Sequence, residues 1–218
     1  MRPLVLLRPE PGLSESAGRA GALGMAVIRA PLFALEQVAW RVPDPAAFDA
    51  LLLTSANAVE FAGQGLVPLR KLPVHAVGAA TAEAARAAGY SVASVGGAGV
   101  DVLLAGLPRG TRLLHLCGAD RRAPQAHGAW IEPVTVYRAA EIDPPSDFFT
   151  SVGGAVVAVH SRRAGERLAE LVGARTTTAL VALSDDAAGG AGAGWERIAV
   201  APRPSDPALL ALAAELCL

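Results

Sequence analysis

Short, unbroken apolar segments recur along this chain, each followed by a small or polar turn and then by a stretch rich in Ala, Arg and Glu. The segments are Leu4–Arg8, Ala26–Arg29, Ala50–Thr54, Val74–Val77, Ser91–Val95, Arg112–Leu116, Val134–Tyr137, Ala155–His160, Ala179–Leu183 and Arg197–Val200. A strand that is apolar at every position, rather than at alternate ones, must be covered on both faces. The intervening stretches supply the cover: helices are predicted over Ser14–Leu23, Ala56–Ala62, Ala79–Ala88, Val100–Gly106, Arg162–Val172 and Asp206–Leu216. Strand and helix alternating at this spacing predict an α/β fold with parallel sheets.

Several helix starts have a local cause. Ser55, Ser161 and Ser184 each stand just before a helical or helix-compatible run. A hydroxyl there can accept a hydrogen bond from an otherwise unpaired first-turn N–H. Ser205 or Asp206 before Pro207 fits a cap followed by a first-turn proline. The run Gly189-Gly-Ala-Gly-Ala-Gly194 is expected to weaken any helix begun at Ser184, since each glycine costs roughly 1 kcal/mol against alanine.

The pattern also repeats. A shift of 106 residues lays Leu51–Ser55 on Val157–Ser161, Val74–Gly78 on Leu180–Ser184, and Val92–Val95 on Ile198–Ala201, without a gap. Three strands and two strand-to-helix turns recur in register, which predicts two similar domains. Between the halves, Ala30–Trp40 alternates like an extended ribbon, and Glu132–Arg138 is a second extended stretch. Pairing these two sends the chain out to a second domain and back. The expectation is a discontinuous first domain, 1–33 with 140–218, and a second domain, 34–139. Two antiparallel connector strands, near 30–40 and 132–138, would act as a hinge, with the ligand in a cleft between the domains.

Composition narrows the class. Hydrophobic residues are 52% and charged residues 18%, too apolar for a disordered chain. No apolar run approaches the ~20 residues of a spanning helix, and the first apolar run, Leu4–Leu7, is too short for a secretory signal. Two cysteines, Cys117 and Cys217, make a disulfide framework improbable and a reducing cytoplasm the expected location. Nineteen basic residues balance twenty acidic ones, so no basic excess points to nucleic acid. A small or medium-sized ligand fits better.

Familiar catalytic signatures are weak. His115-x-Cys117 and the scattered His75, His127 and His160 lack zinc spacing, and are read as strand-end or surface residues. There is no G-x-S-x-G nucleophile elbow. Gly96-Gly-Ala-Gly99 follows a strand but lacks dinucleotide spacing, and a strand-to-helix connection explains it. What accumulates instead is anion-friendly chemistry at predicted strand C-termini: Arg8, Thr54-Ser55, Gly78 with Thr81, Asp120-Arg-Arg122 and Ser161-Arg-Arg163. Open parallel sheets bind ligands along that edge, where helix N-termini carry partial positive charge. Any one of these arginines suits a surface ion pair equally well.

In order and spacing these segments resemble the uroporphyrinogen-III synthase family. The resemblance runs over nearly the whole chain: Arg8-Pro9, Leu53–Val59, Val77–Ala82 leading to Ala88-Gly89, Leu116–Arg122, Val136–Arg138, His160–Arg163 and Val200–Pro204. It implies two α/β domains on a two-stranded connector. It also implies cyclisation of hydroxymethylbilane, with loss of water and inversion of the last pyrrole ring, to give uroporphyrinogen III for haem, sirohaem and cobalamin. No cofactor and no metal is implied. The chain supplies both domains, so a monomer is expected.

The resemblance also assigns roles. Tyr137 matches a family tyrosine proposed to assist departure of the hydroxyl; a phenol holds its proton at neutral pH and can donate it. The plainer reading is a connector residue with a solvated hydroxyl. Ser55, Gly78 and Thr81 match substrate-binding turns of domain two, and Arg8, Ser161 and Ser184 those of domain one. Arg121 or Arg122 would pair with a substrate carboxylate. One departure is Ser184-Asp-Asp-Ala-Ala188, where many relatives carry Gly and Thr; Asp185 and Asp186 are expected to face away from a polyanion or cap the helix. The competing functions are a non-catalytic two-lobed module for an anionic ligand and an inactive relative of the synthase.

Overall fold

The computed structural model describes residues 1–97, 99–121, 123–173 and 175–218. In chain order the elements begin with β1 (Leu4–Leu6), α1 (Gly12–Ala22), β2 (Val27–Arg29) and β3 (Phe33–Gln37). They continue with β4 (Ala50–Leu53), α2 (Ala56–Ala62), β5 (Val74–Val77), α3 (Ala79–Ala87), β6 (Val92–Gly96), α4 (Val100–Ala105), β7 (Arg112–Gly118) and β8 (Trp130–Glu141). The last are α5 (Phe148–Val152), β9 (Val156–Val159), α6 (Arg162–Leu171), β10 (Ala179–Ala182), α7 (Asp185–Ala191), β11 (Arg197–Val200) and α8 (Asp206–Cys217). The chain divides into one unit of Met1–Ala34 with Ala140–Leu218 and another of Leu35–Ala139.

The first unit holds a five-stranded sheet in the order β11-β10-β9-β1-β2, parallel throughout. Its central strands are buried at every position, as unbroken apolar runs require. Leu4, Leu6, Val156, Ala158 and Val181 face a core shared with Leu13, Ala17 and Ala20 of α1 and Leu209, Leu210 and Ala213 of α8. The intervening residues point to the opposite face, because successive strand side chains alternate. There α6 packs on β9 and α7 on β10.

The second unit holds a six-stranded sheet, β3-β8-β7-β4-β5-β6. One face packs Leu51, Leu53, Val74, Ala76, Leu114 and Leu116 against α2, α3 and the 3-10 segment Gly63–Leu69. The other packs Ala50, Leu52 and Leu113 against Leu103 and Leu104 of α4. The order β4-α2-β5-α3-β6 recurs as β9-α6-β10-α7-β11, apart from the 3-10 segment after α2.

Ser55, Ser161 and Ser184 all cap. Their Oγ atoms accept from the N–H of Asn57, Ala164 and Ala187 at 3.2, 3.2 and 3.3 Å. At α8 the expectation fails in part: Ser205 occupies the cap position without a side-chain bond, and the Asp206 carboxylate is engaged elsewhere. The connector is also more than a free ribbon. β8 runs in parallel register with β7 from Arg112↔Trp130 to Gly118↔Tyr137. Val38 N–H bonds the Val136 carbonyl and Ile142 N–H the Leu32 carbonyl, so partners fall in number as the chain advances and β3 runs antiparallel to β8. Helix α5 has too few residues to show a period in sequence, and no helix is expected there.

One glycine of the run, Gly190, has a packing role as well. Helices α6 and α7 meet backbone to backbone: a Cβ on Gly165 would lie 2.6 Å from Ala191 N, and one on Gly190 would overlap the Arg162 carbonyl oxygen. Glycine at those two positions permits this close approach of the two helices.

Candidate functional site

Both sheets reverse direction internally. In the first unit the chain steps from β1 to β2 on one side and from β9 through β10 to β11 on the other, so the reversal lies between β1 and β9. In the second it steps from β4 through β5 to β6, with β7 and β8 on the far side of β4, so the reversal lies between β4 and β7. Connections leave opposite faces at such a point and open a crevice at the carboxyl ends of the strands, where ligands bind.

The second-unit candidates gather there. Ser55 follows β4 and caps α2. Gly78 follows the neighbouring β5 at φ +88°; space for a Cβ exists, so the backbone conformation alone demands glycine. Thr81, in the first turn of α3, is buried. Arg121 follows β7 and is exposed, while Arg122 lies outside the described residues. Beneath this edge His115 is 1% exposed, with Nε2 3.1 Å from Thr54 Oγ1 and Nδ1 without a partner among the described residues. Burial first, and the Arg121 guanidinium second, push its pKa down to about 4. Burial pushes the Cys117 thiol up, and Arg121 pulls it partly back.

Tyr137 sits on β8, half-buried, its ring 5.7 Å from that of Phe61. Its carbonyl accepts from Ala119 N–H at 2.9 Å. The ring lies against Gly118, where the β7–β8 register shifts. A Cβ on Gly118 would come within 2.8 Å of the Tyr137 ring and 3.0 Å of its hydroxyl. Backbone and ring thus fix where the phenol points.

In the first unit Arg8 follows β1, Ser161 follows β9 and Ser184 follows β10. Arg8 is not a free cation. Its Nη1 donates to Ser16 Oγ at 3.0 Å and to Asp206 Oδ1 at 3.3 Å. Asp206 Oδ1 also accepts from Ser16 Oγ at 2.6 Å and His160 Nε2 at 3.0 Å, and Oδ2 accepts from Arg19 Nη1 at 2.7 Å. Burial raises the Asp206 carboxyl, but the bonds from His160, Ser16 and Arg19 outweigh it and hold the group well below the usual carboxylate range. Asp185 and Asp186 are exposed in the first turn of α7, and Asp186 pairs with Arg162 at 3.4 Å. Among the described residues no group of three His, Cys, Asp or Glu side chains converges as metal ligands would.

The sequence matches the model of the family described as uroporphyrinogen-III synthase HemD over residues 14–211. The chain belongs to the uroporphyrinogen-III synthase family. Two solved structures share the fold of this family member. One, uroporphyrinogen-III synthetase from Helicobacter pylori 26695, has a TM-score of 0.70 at 18% identity, over 99% of this chain and 100% of that one. The other, a mutant uroporphyrinogen III synthase from the extremely thermophilic bacterium Thermus thermophilus, has a TM-score of 0.55 at 19% identity, over 98% of each chain. At such identities the likeness concerns fold alone. Comparison with curated proteins finds no match.

Sequence reasoning placed Arg8, Ser55, Gly78 with Thr81, Arg121 and Ser161 at strand ends, and the resemblance added Ser184 and Tyr137. The fold sorts them into one group per unit, with Tyr137 inside β8 rather than at the end of a strand closing at 137. It missed Asp206 and Ser16, which engage Arg8, His160, which engages Asp206, and Gly118, which seats Tyr137. His160 ends a strand and Asp206 opens a helix, so position alone singled out neither. Their partners stand up to 198 residues away in the chain.

Proposed function

We propose that this chain is a uroporphyrinogen-III synthase that closes hydroxymethylbilane with inversion of the last pyrrole ring and release of water, a hydro-lyase reaction. Family membership over residues 14–211 carries the reading, and the donor-lined strand ends of each unit supply a physical basis for it. The substrate has eight carboxylates. Capped helix starts at Ser55, Ser161 and Ser184 and the guanidinium groups of Arg8 and Arg121 are the donors we assign to them.

In the first step the Tyr137 hydroxyl gives a proton to the departing hydroxyl; water leaves, and an azafulvenium cation and a tyrosinate remain. For the last ring to be inverted, the cation bonds first to that ring's already substituted α-carbon. The older bridge bond there breaks and re-forms at the ring's free α-carbon, whose proton is released and restores the phenol. The order is set by how the anchored substrate is folded. Orientation of this kind converts a free encounter into a local one. Fixed dipoles and the exclusion of water protect the cationic intermediate. We assign the chain to the cytoplasm and to a monomeric state with no nucleic-acid partner; among the described residues no helix is long and apolar enough to cross a membrane. A single monomer peak in gel filtration is expected.

The test supplies freshly made hydroxymethylbilane and measures type III against type I uroporphyrin. Spontaneous closure gives type I, so an excess of type III supports the reading, and type I alone identifies an inactive relative. Tyr137→Phe is expected to slow turnover several-fold or more with unchanged melting temperature; unchanged turnover removes Tyr137 from the mechanism. Gly118→Ala, whose methyl displaces the Tyr137 ring, is expected to lower kcat by a similar factor. Combined with Tyr137→Phe it should add little, and full additivity would separate the two residues.

A further inference from the structure

Arg8 stands at the reversal point of the first sheet, yet an internal carboxylate holds it, at first sight a poor arrangement for binding a polyanion. The geometry resolves this. A guanidinium has five N–H donors in a fixed plane. Both bonds described for Arg8, to Ser16 and to Asp206, are made by Nη1. Gly12 packs against the group, where a Cβ would overlap Nη2, Cζ and Nε. The edge formed by Nε and Nη2 has no partner among the described residues, and the side chain is 28% exposed. That edge is one complete fork for a carboxylate. Asp206 does not cancel the charge either, because Arg19 shares it: two guanidinium groups face one carboxylate.

We infer that Asp206 is a positioning residue for substrate binding: it pins one nitrogen of Arg8, with Ser16 and Gly12 beneath, so that the Nε–Nη2 edge is presented to a substrate carboxylate. His160 and Arg19 in turn keep Asp206 ionised and fixed from the other side. The inference rests on the synthase reading. It assigns to Asp206 a share of substrate affinity rather than of bond making, since Asp206 is 13% exposed and its carboxylate is engaged by Arg8, Ser16, Arg19 and His160. A wholly structural strut would alter melting and leave affinity alone.

The measurement is steady-state kinetics on hydroxymethylbilane for Asp206→Asn, Arg8→Lys and the double variant. Asp206→Asn is expected to raise KM about tenfold with kcat within about twofold, the size of a lost hydrogen bond to a charged group. In the Arg8→Lys background the same change should leave KM nearly unmoved. Gly12→Ala is the second probe, because its methyl displaces the Arg8 guanidinium while alanine suits a helix start; a KM rise that vanishes with Arg8→Lys is again expected. Unchanged KM in Asp206→Asn and Gly12→Ala, or fully additive effects with Arg8→Lys, would overturn the inference. Fluorescence titration with uroporphyrin III, itself an octacarboxylate, reads the same contact without turnover. A chain that makes only type I but loses about tenfold in this affinity on Asp206→Asn would refute the synthase reading and keep this one.

Discussion

Gly190→Ala is expected to destabilise the protein by about 3 kcal/mol, the upper end of the usual cost of overpacking, because the neighbours are rigid. For a chain of this size the melting temperature should fall by roughly 6–12 °C. The added methyl would overlap the carbonyl oxygen of Arg162 on the adjacent helix, and its next neighbours are the Arg162 carbonyl carbon, at 2.9 Å, and Cα, at 3.0 Å. All three are backbone atoms, so no side-chain rotation relieves the clash; α6 and α7 must separate. Gly189→Ala is the control. Gly189 is exposed, and a Cβ there meets only the tip of Arg162 at 3.8 Å, an ordinary contact. It should gain the helix propensity that glycine forfeits, about 1 kcal/mol, and raise the melting temperature by roughly 2–4 °C. Equal and small effects at both positions in thermal unfolding would mean that the two helices do not approach as described.

Acidification should destabilise the native state through His115 between pH 6.5 and about 4, by about 3 kcal/mol in total. In the unfolded chain this imidazole takes up a proton near pH 6.5; in the fold, burial and the nearby Arg121 guanidinium delay uptake to about 4. Within that window the unfolded state binds more protons, so stability falls as pH drops; above pH 6.5 neither state is protonated and nothing is lost. His115→Gln cannot titrate and can still hydrogen-bond Thr54, so its urea midpoint should fall less steeply across the window. Parallel curves for the two proteins would contradict a neutral buried imidazole. Asp206 acts with the same sign in a lower window: its carboxylate is held ionised by its partners, and the stability it contributes is lost only as pH falls below the ordinary carboxylate range. The two windows can be read from one pH series.

Close approach and buried charge govern these two predictions, and neither is written in local patterns. The glycine run shows the difference. By propensity Gly189 and Gly190 are equal liabilities in a short helix. In the folded protein one faces solvent and the other faces a carbonyl, because α7 presents only one side to α6. Arg8 is a similar case. A strand-end arginine in an α/β chain reads equally well as a ligand anchor or a surface ion pair; the structure shows the pair with Asp206, and the anchor is what we propose. Gly118 follows a buried β7 run and looks like an ordinary strand end until Tyr137 of β8 is laid beside it.

Sequence alone determined the parallel α/β architecture, the internal repeat and the serine-capped helix starts. These depend on interactions within a few residues and on apolar runs that leave no exposed strand face. The order of the strands decided the rest: which ends stand side by side at the two reversal points, which glycine touches a backbone, and which carboxylate meets Arg8 from 198 residues away. Contacts of that range form only when the chain has folded back on itself, so no window of sequence contains both partners.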